Sequence, residues 1–197
     1  MADEQSLIAE QRLLERAQRG DVQAYEALVR EHEQIAFRAA FLITHDESEA
    51  ADAAQDAFLR AYRALGSFKL GHPFRPWLLR IVTNLALNRV ESAQRRTRMT
   101  ERYTQELIVS ADPPSPERAL AEREQSERLM QAVAKLTPSE QSLIALRYFL
   151  ELPESEVAEA LNVPKGTVKS RLHRTLARLR EVIRQDYPDL AELTISQ

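Results

Sequence analysis

From Lys165 to Arg184 the chain reads KGTVKSRLHRTLARLREVIR, seven cationic side chains against a single carboxylate. At about 100° per residue, a helix through this segment gathers Val168, Leu172, Leu176 and Leu179 on one side and Lys169, Ser170, His173 and Arg174 on a stripe roughly 135° away. One face packs and the other is free to read. Two cations, a hydroxyl and an imidazole suit guanine edges, mixed acceptors and phosphates in a major groove, which is recognition rather than bond-making chemistry. Lys165 and Thr167 open the helix, while Arg171, Arg178 and Arg180 lie off the stripe, where backbone phosphate is the natural partner. A solvated amphipathic helix would carry the same charges, so the residues around the segment have to decide.

Covalent chemistry finds little to work with. The chain has no cysteine, which excludes disulfides, thiolate metal sites and thiol nucleophiles. His32-Glu33 lacks the second histidine of a zinc-protease helix, and His45-Asp46 stands without further metal ligands, so both pairs are expected at the surface. The four glycines are too few for a phosphate-cradling loop. No enzyme, cofactor or metal centre is expected.

The elements that hold the stripe are legible. Pro153 to Leu179 has a helix-turn-helix layout: a short helix burying Val157, Ala158 and Leu161, a break at Asn162-Val163-Pro164, and the long basic helix. Upstream, Thr137-Pro138-Ser139-Glu140 combines a threonine N-cap, proline at the first helical position and glutamate at the third, a capping box that opens a helix running to about Phe149. A helix from Arg118 to Lys135 precedes it. Before that, Ser110-Ala111-Asp112-Pro113-Pro114-Ser115-Pro116 cannot hold a helix and reads as an extended linker. The N-terminal part shows apolar spacing of three and four throughout. It predicts helices over about 21–42, 46–65 and 77–98, with an irregular stretch from Phe68 to Pro76. The fold expected is all-α, two small helical domains joined by a Pro-rich linker. Its divisions are a lead-in helix over 1–20, a first domain over 21–100, the linker over 101–125, a second domain over 126–186 and an acidic tail over 187–197.

Composition supports a polyanion partner. The chain is 44% hydrophobic and 29% charged, enough for ordinary cores, with no apolar run long enough to span a bilayer and an acidic rather than basic start. A cytoplasmic location without membrane contact is expected. The net charge of −3 conceals blocks: 5 basic and 13 acidic residues over 1–59, 9 and 1 over 60–100, 6 and 12 over 101–164, then 7 and 1 over 165–184. Two compact basic segments between acidic ones fit two separate contacts with nucleic acid.

These residues resemble the extracytoplasmic-function class of bacterial RNA polymerase sigma factors. Leu136 to Gln141, Leu146 to Phe149 and Val163 to Arg174 are similar to sigma region 4; Asp52 to Tyr62 resembles region 2.2, and Arg75 to Asn88 resembles regions 2.3 and 2.4. The resemblance implies a promoter-specificity subunit whose partners are core RNA polymerase, promoter DNA and an anti-sigma factor. It implies docking on the clamp of the largest polymerase subunit through Asp52, Gln55, Asp56, Phe58 and Arg60. For the unpaired minus-ten element it implies Phe68, Phe74, Arg75, Arg80, Asn84, Asn88, Arg95 and Arg96, with Arg89 and Arg98 as further phosphate contacts; Phe68 to Phe74 would capture a flipped base. For the minus-thirty-five duplex it implies Lys165, Thr167, Lys169, Ser170, Arg171, His173, Arg174 and Arg178. Three positions depart from the family pattern: Asn88 and Ala51 stand where acidic residues are usual, and Pro153 replaces a capping serine. The alternative is a stand-alone helix-turn-helix regulator, which would bind duplex DNA tightly without polymerase.

Overall fold

The computed structural model describes the backbone of residues 2–100 and 118–193, with side chains over 7–95 and 125–190. Among these residues all regular structure is helical, and no helix is long and apolar enough to cross a membrane. The core of the expected linker, 101–117, lies outside the described residues.

Four helices form the N-terminal unit: α1 (Ala2–Gln18), α2 (Val22–Thr44), α3 (Glu47–Ala64) and α4 (Phe74–Thr100). Aspartates begin the middle two. Asp21 accepts from the Ala24 amide at 3.1 Å and Asp46 from the Glu49 amide at 2.8 Å, each satisfying a helix-start N–H that has no intrahelical acceptor. The Ala24 N–H, then the Arg16 guanidinium, holds Asp21 below the usual carboxylate pKa. α2 closes at His45, in the left-handed region at φ 55°. α3 buries Ala50, Ala53, Ala54, Ala57 and Ala61, a seam of small residues that lets α2 and α4 pack closely against it. Leu14, Leu28, Ile43, Phe74, Leu78, Leu79 and Val82 fill the centre.

α4 starts three residues earlier than the sequence predicts. Phe74, Arg75 and Pro76 belong to its first turn, where proline costs nothing because amides there have no acceptor four residues back. Only Phe68 to Pro73 is irregular between the 3-10 turn Leu65–Ser67 and α4.

The C-terminal unit holds α5 (Arg118–Ala134), α6 (Pro138–Ile144), a π-turn (Ala145–Phe149), α7 (Glu154–Ala160), α8 (Lys165–Asp186) and α9 (Pro188–Leu193). The capping box is complete: the Glu140 amide donates to the Thr137 hydroxyl and the Thr137 amide to the Glu140 carboxylate. α5 reaches into the expected linker span, and α9 occupies the expected tail. Pro153 starts α7 without any side-chain cap, as its residue type requires. Asn162 makes the helix-turn-helix break at φ 54°, a conformation asparagine tolerates better than most side chains.

The two units touch. α7 packs on α4 and α6 on α2, so Leu143, Leu146, Leu152, Val157, Val168 and Leu172 join the same buried cluster as the N-terminal core. A second cluster, Ala132, Val133, Leu136, Ile144 and Leu179, with Leu176, Val182, Ile183 and Tyr187 against it, ties α5 to α8.

Candidate nucleic-acid interface

The α8 stripe emerges as the sequence predicts. Lys165, Lys169, Ser170, Arg171, His173, Arg174 and Arg178 are exposed and Thr167 is half-buried, while Val168, Leu172 and Leu179 are buried behind them. Leu176 is only half-buried, and Thr175, which apolar patterning passes over, is buried. The Ser170 hydroxyl donates back to the Thr167 carbonyl at 3.0 Å, so what it offers outward is acceptor capacity. Arg178 sits 3.9 Å from Glu140, a loose contact that leaves the guanidinium available. Beside the stripe a polar hollow of about 270 Å³ is lined by Thr137, Ser139, Arg171 and Arg174.

Region 68–95 is arranged differently from expectation. Phe68 and Phe74 are buried, at 7% and 0% exposure, and form an aromatic cluster with Trp77 at centroid separations of 5.1–5.9 Å. Their faces are spent on one another, so neither presents a ring to a base; the exposed members of the loop are Lys69, Leu70, Gly71, His72 and Pro73. Arg80 (half-buried), Asn84 and Asn88 (both exposed) follow one another at four-residue spacing along one face of α4, with Arg95 exposed farther on. The side chains of Arg96 and Arg98 lie outside the described residues.

Two arginines of this region are already engaged. Arg75 donates from Nε and Nη2 to both carboxylate oxygens of Glu156 on α7, at 2.9 and 2.7 Å. Arg89 donates to Glu49 at 2.7 Å and to Asp56 at 2.9 Å, with Asp52 at 3.7 Å; these hydrogen bonds, Glu49 foremost, hold its proton still more firmly. Arg89 is therefore a structural cross-link from α4 to α3 rather than a phosphate grip. A further bond crosses the units, from His45 Nε2 to Gln141 Oε1 at 3.2 Å. Burial lowers the His45 pKa, and the Gln141 bond offsets only part of that.

The five residues expected to dock polymerase divide between two sides of α3. Gln55 and Phe58 line an open apolar groove between α2 and α3, of about 660 Å³, whose other walls include Val22, Val29, Phe37, Leu59 and Tyr62. Phe58 is buried at its floor, whereas Val22, Leu59 and Tyr62 are 56%, 51% and 43% exposed. Asp52 and Asp56 face α4 and Arg89 instead, and Arg60 is exposed. Sequence reasoning missed the groove walls; exposed Leu59 and Tyr62 three residues apart were the available signal. The groove floor is fixed by the Tyr25 hydroxyl, which donates to the Phe58 carbonyl at 2.6 Å and whose pKa burial raises.

Neither histidine of the two pairs is a surface residue, although Glu33 and Asp46 beside them are exposed as expected. His32 is 6% exposed and hydrogen-bonds Glu10 at 3.2 Å, and His45 is half-buried at the contact between units. Glu10, Glu31 and His32 bring three potential ligand atoms within 4.8 Å of one another. Both Glu10 oxygens are already used, by His32 and by the Phe74 amide at 3.3 Å, which reads as a structural tie. Burial alone would raise the Glu10 pKa, but the His32 and Phe74 hydrogen bonds outweigh it and the net shift is downward.

α1, read from sequence as a lead-in, holds the loop. Gln11 Oε1 accepts from the Gly71 amide at 2.7 Å while Gln11 Nε2 donates to the His72 carbonyl at 2.8 Å. Gln18 Nε2 donates to the carbonyls of Leu65 and Phe68, both at 2.8 Å.

Comparison with known proteins assigns both units. Residues 28–96 match the model for Sigma-70 region 2, and residues 126–179 that for Sigma-70, region 4. The chain is 33% identical over 177 residues to the ECF RNA polymerase sigma factor SigW of Bacillus subtilis, covering 87% of this chain and 95% of that protein. It is 34% identical over 171 residues to the RNA polymerase sigma-H factor of Pseudomonas aeruginosa, covering 84% and 89%. Among solved structures, CnrH in complex with the cytosolic domain of CnrY is similar at a TM-score of 0.64 and 25% identity, over 90% of this chain and 99% of that one. RpoE of Bartonella quintana, solved with the anti-sigma factor NepR, shares the fold at a TM-score of 0.63 and 20% identity, over 82% and 98%.

Proposed function

The chain belongs to the extracytoplasmic-function RNA polymerase sigma factors, and from that premise we propose how its surfaces divide the work. It is a non-enzymatic initiation factor that directs RNA polymerase to promoters through regions 2 and 4. The α8 stripe reads the minus-thirty-five duplex in the major groove, Lys169 and Arg174 at base edges and Arg171 and Arg178 at phosphates. The exposed loop Lys69 to Pro73 takes a base flipped from the minus-ten element, and Arg80, Asn84, Asn88, Arg95 and Arg96 track the unpaired strand. The α2–α3 groove receives an apolar ridge of the polymerase clamp, with Gln55 and Arg60 beside it. An anti-sigma factor competes for these surfaces, a reading supported by the complexes in which the similar proteins CnrH and RpoE were solved. The protein works in the cytoplasm, where polymerase and promoter are.

The observation that carries this reading is the exposed cationic face of α8, backed by buried Val168, Leu172 and Leu179 on a helix-turn-helix. Two tethered modules of modest affinity give selectivity that neither has alone. In this arrangement Arg75 reaches single-stranded phosphate only after releasing Glu156, exchanging one anion for another. The test is run-off transcription by core polymerase on a library of randomised promoters, with and without the protein. Protein-dependent transcripts enriched in two elements at fixed spacing are expected. Tight duplex binding by the chain alone, with no dependent transcript, would overturn the assignment of these surfaces.

A further inference from the structure

We infer that α1 is the clamp that sets the shape of the 69–73 loop, and that Gln11 is its positioning residue for base selection. The inference rests on the reading of that loop as the minus-ten base-capture element, and adds a residue from a helix with no assigned part in it.

Between Phe68 and Phe74 the loop supplies almost nothing to itself. Its internal backbone bond, from the His72 amide to the Lys69 carbonyl, is 3.4 Å long, and Gly71 sits at φ 87°. A short, exposed segment of this kind samples many conformations unless something outside fixes it. α1 does so from one side. Gln11 and Gln18, seven residues apart and hence on one helical face, hold the Gly71 amide and the His72, Leu65 and Phe68 carbonyls, all at 2.7–2.8 Å, and Glu10 accepts the Phe74 amide at the start of α4. Both ends and the apex of the loop are thus tied to one rigid element, anchored by buried Leu14 and Ala17.

The chemistry singles out a primary amide at position 11. It must accept from one peptide group and donate to the next, which glutamate, lysine and methionine cannot both do. With the backbone held from behind, the outward side chains Lys69, Leu70 and His72 keep a fixed spacing, and a fixed spacing lets a pocket distinguish one base from another. Preorganisation of this kind acts on discrimination without touching the base.

The test replaces Gln11 by methionine, which keeps the length and loses both bonds, and by glutamate, which keeps only the acceptor toward Gly71. Full-length protein with core polymerase is assayed for strand opening by permanganate reactivity on four promoters differing only at the captured base. Amide exchange of Gly71 and His72 is followed in parallel. We expect Gln11→Met to shrink the preference for the best base about tenfold and to speed Gly71 exchange, with core binding and thermal midpoint unchanged; Gln11→Glu falls between. Gln18→Met, which releases the other end, should give a smaller loss of the same kind. Faster Gly71 exchange with an unchanged base preference would overturn the inference. If instead Leu70→Ala and His72→Ala leave the wild-type preference intact, the base-capture reading itself has failed, an outcome separable from failure of the clamp.

Discussion

The two regions proposed to face DNA carry similar charge and hold it in opposite ways. From Lys165 to Arg178 on α8 the basic side chains stand in solvent, with a loose carboxylate contact from Arg178 to Glu140. In region 68–95, by contrast, Arg75 and Arg89 are bound by Glu156, Glu49 and Asp56. In the proposed division of labour the duplex contact is ready as it stands, whereas Arg75 meets a single-strand phosphate only by displacing Glu156. Duplex DNA is always present; an unpaired strand exists only after polymerase has begun to open it. On the proposed reading, the pairing of Arg75 with Glu156 discourages stray binding until an unpaired strand is present.

The contrast breaks most severely if the units do not share one core. Leu146→Ala, at a fully buried position in the cluster that joins them, should cost about 2–5 kcal/mol. Urea unfolding followed by Trp77 fluorescence and by circular dichroism should shift together; separate transitions would show two independent bodies. Next in size, Arg174→Ala or Lys169→Ala should each remove about 1–3 kcal/mol of preference at one position of the upstream element and leave the minus-ten preference alone, as read from promoter-library transcription. Glu156→Gln frees Arg75. Since the pair is partly exposed, with Arg75 at 41%, the gain in affinity of the free chain for a single-stranded minus-ten oligonucleotide should be about two- to fivefold by fluorescence anisotropy, with duplex binding unmoved. The smallest effect is on pH. His45 is held neutral by burial, its folded pKa below the ordinary 6.5, so its contribution to the contact between units is present above about pH 6.5 and is lost as the pH falls through the depressed folded value. A pair of spectroscopic labels on α2 and α6 should separate on acidification in the wild type and respond less in His45→Gln. Glu10, whose folded pKa is also lowered, stabilises the α1 contact above its unfolded value of about 4.5, and that contribution disappears only at more acidic pH.

Where a local rule decides the outcome, the sequence was readable. Asp21, Asp46 and the Thr137–Glu140 box mark helix starts through bonds that span three residues, and the α8 stripe follows from helical geometry alone. Partners distant in sequence were not readable. Phe68 and Phe74 carry the residue type of a base-stacking platform, yet Trp77 and His32 cover Phe74 from the next turn and from α2. Periodicity reveals that an aromatic lies on a face, not what the face meets. Arg89 shows the same with charge: its place in a basic block implied phosphate, while its actual partners lie on a helix 33 to 40 residues earlier. The groove was hidden for a related reason, since exposed Val22, Leu59 and Tyr62 become a site only when α2 is laid beside α3. Gln11 and Gln18 are polar residues at ordinary helical spacing, and nothing in either points to a loop some 50 to 60 residues away.

The alanine seam of α3 carries a consequence for sequence drift. Ala54 both packs into the interior and borders the groove, so the distance between the groove walls is set by side chains that are barely there. Wall residues such as Val22 or Leu59 can be exchanged among apolar types and merely retexture the surface. A single added branch at Ala53, Ala54 or Ala57 would instead act as a wedge, spreading α2 from α3 along their whole length. Tolerance thus runs against side-chain size: the large exposed residues are the replaceable ones, and the smallest, buried ones act as the gauge to which the rest is cut.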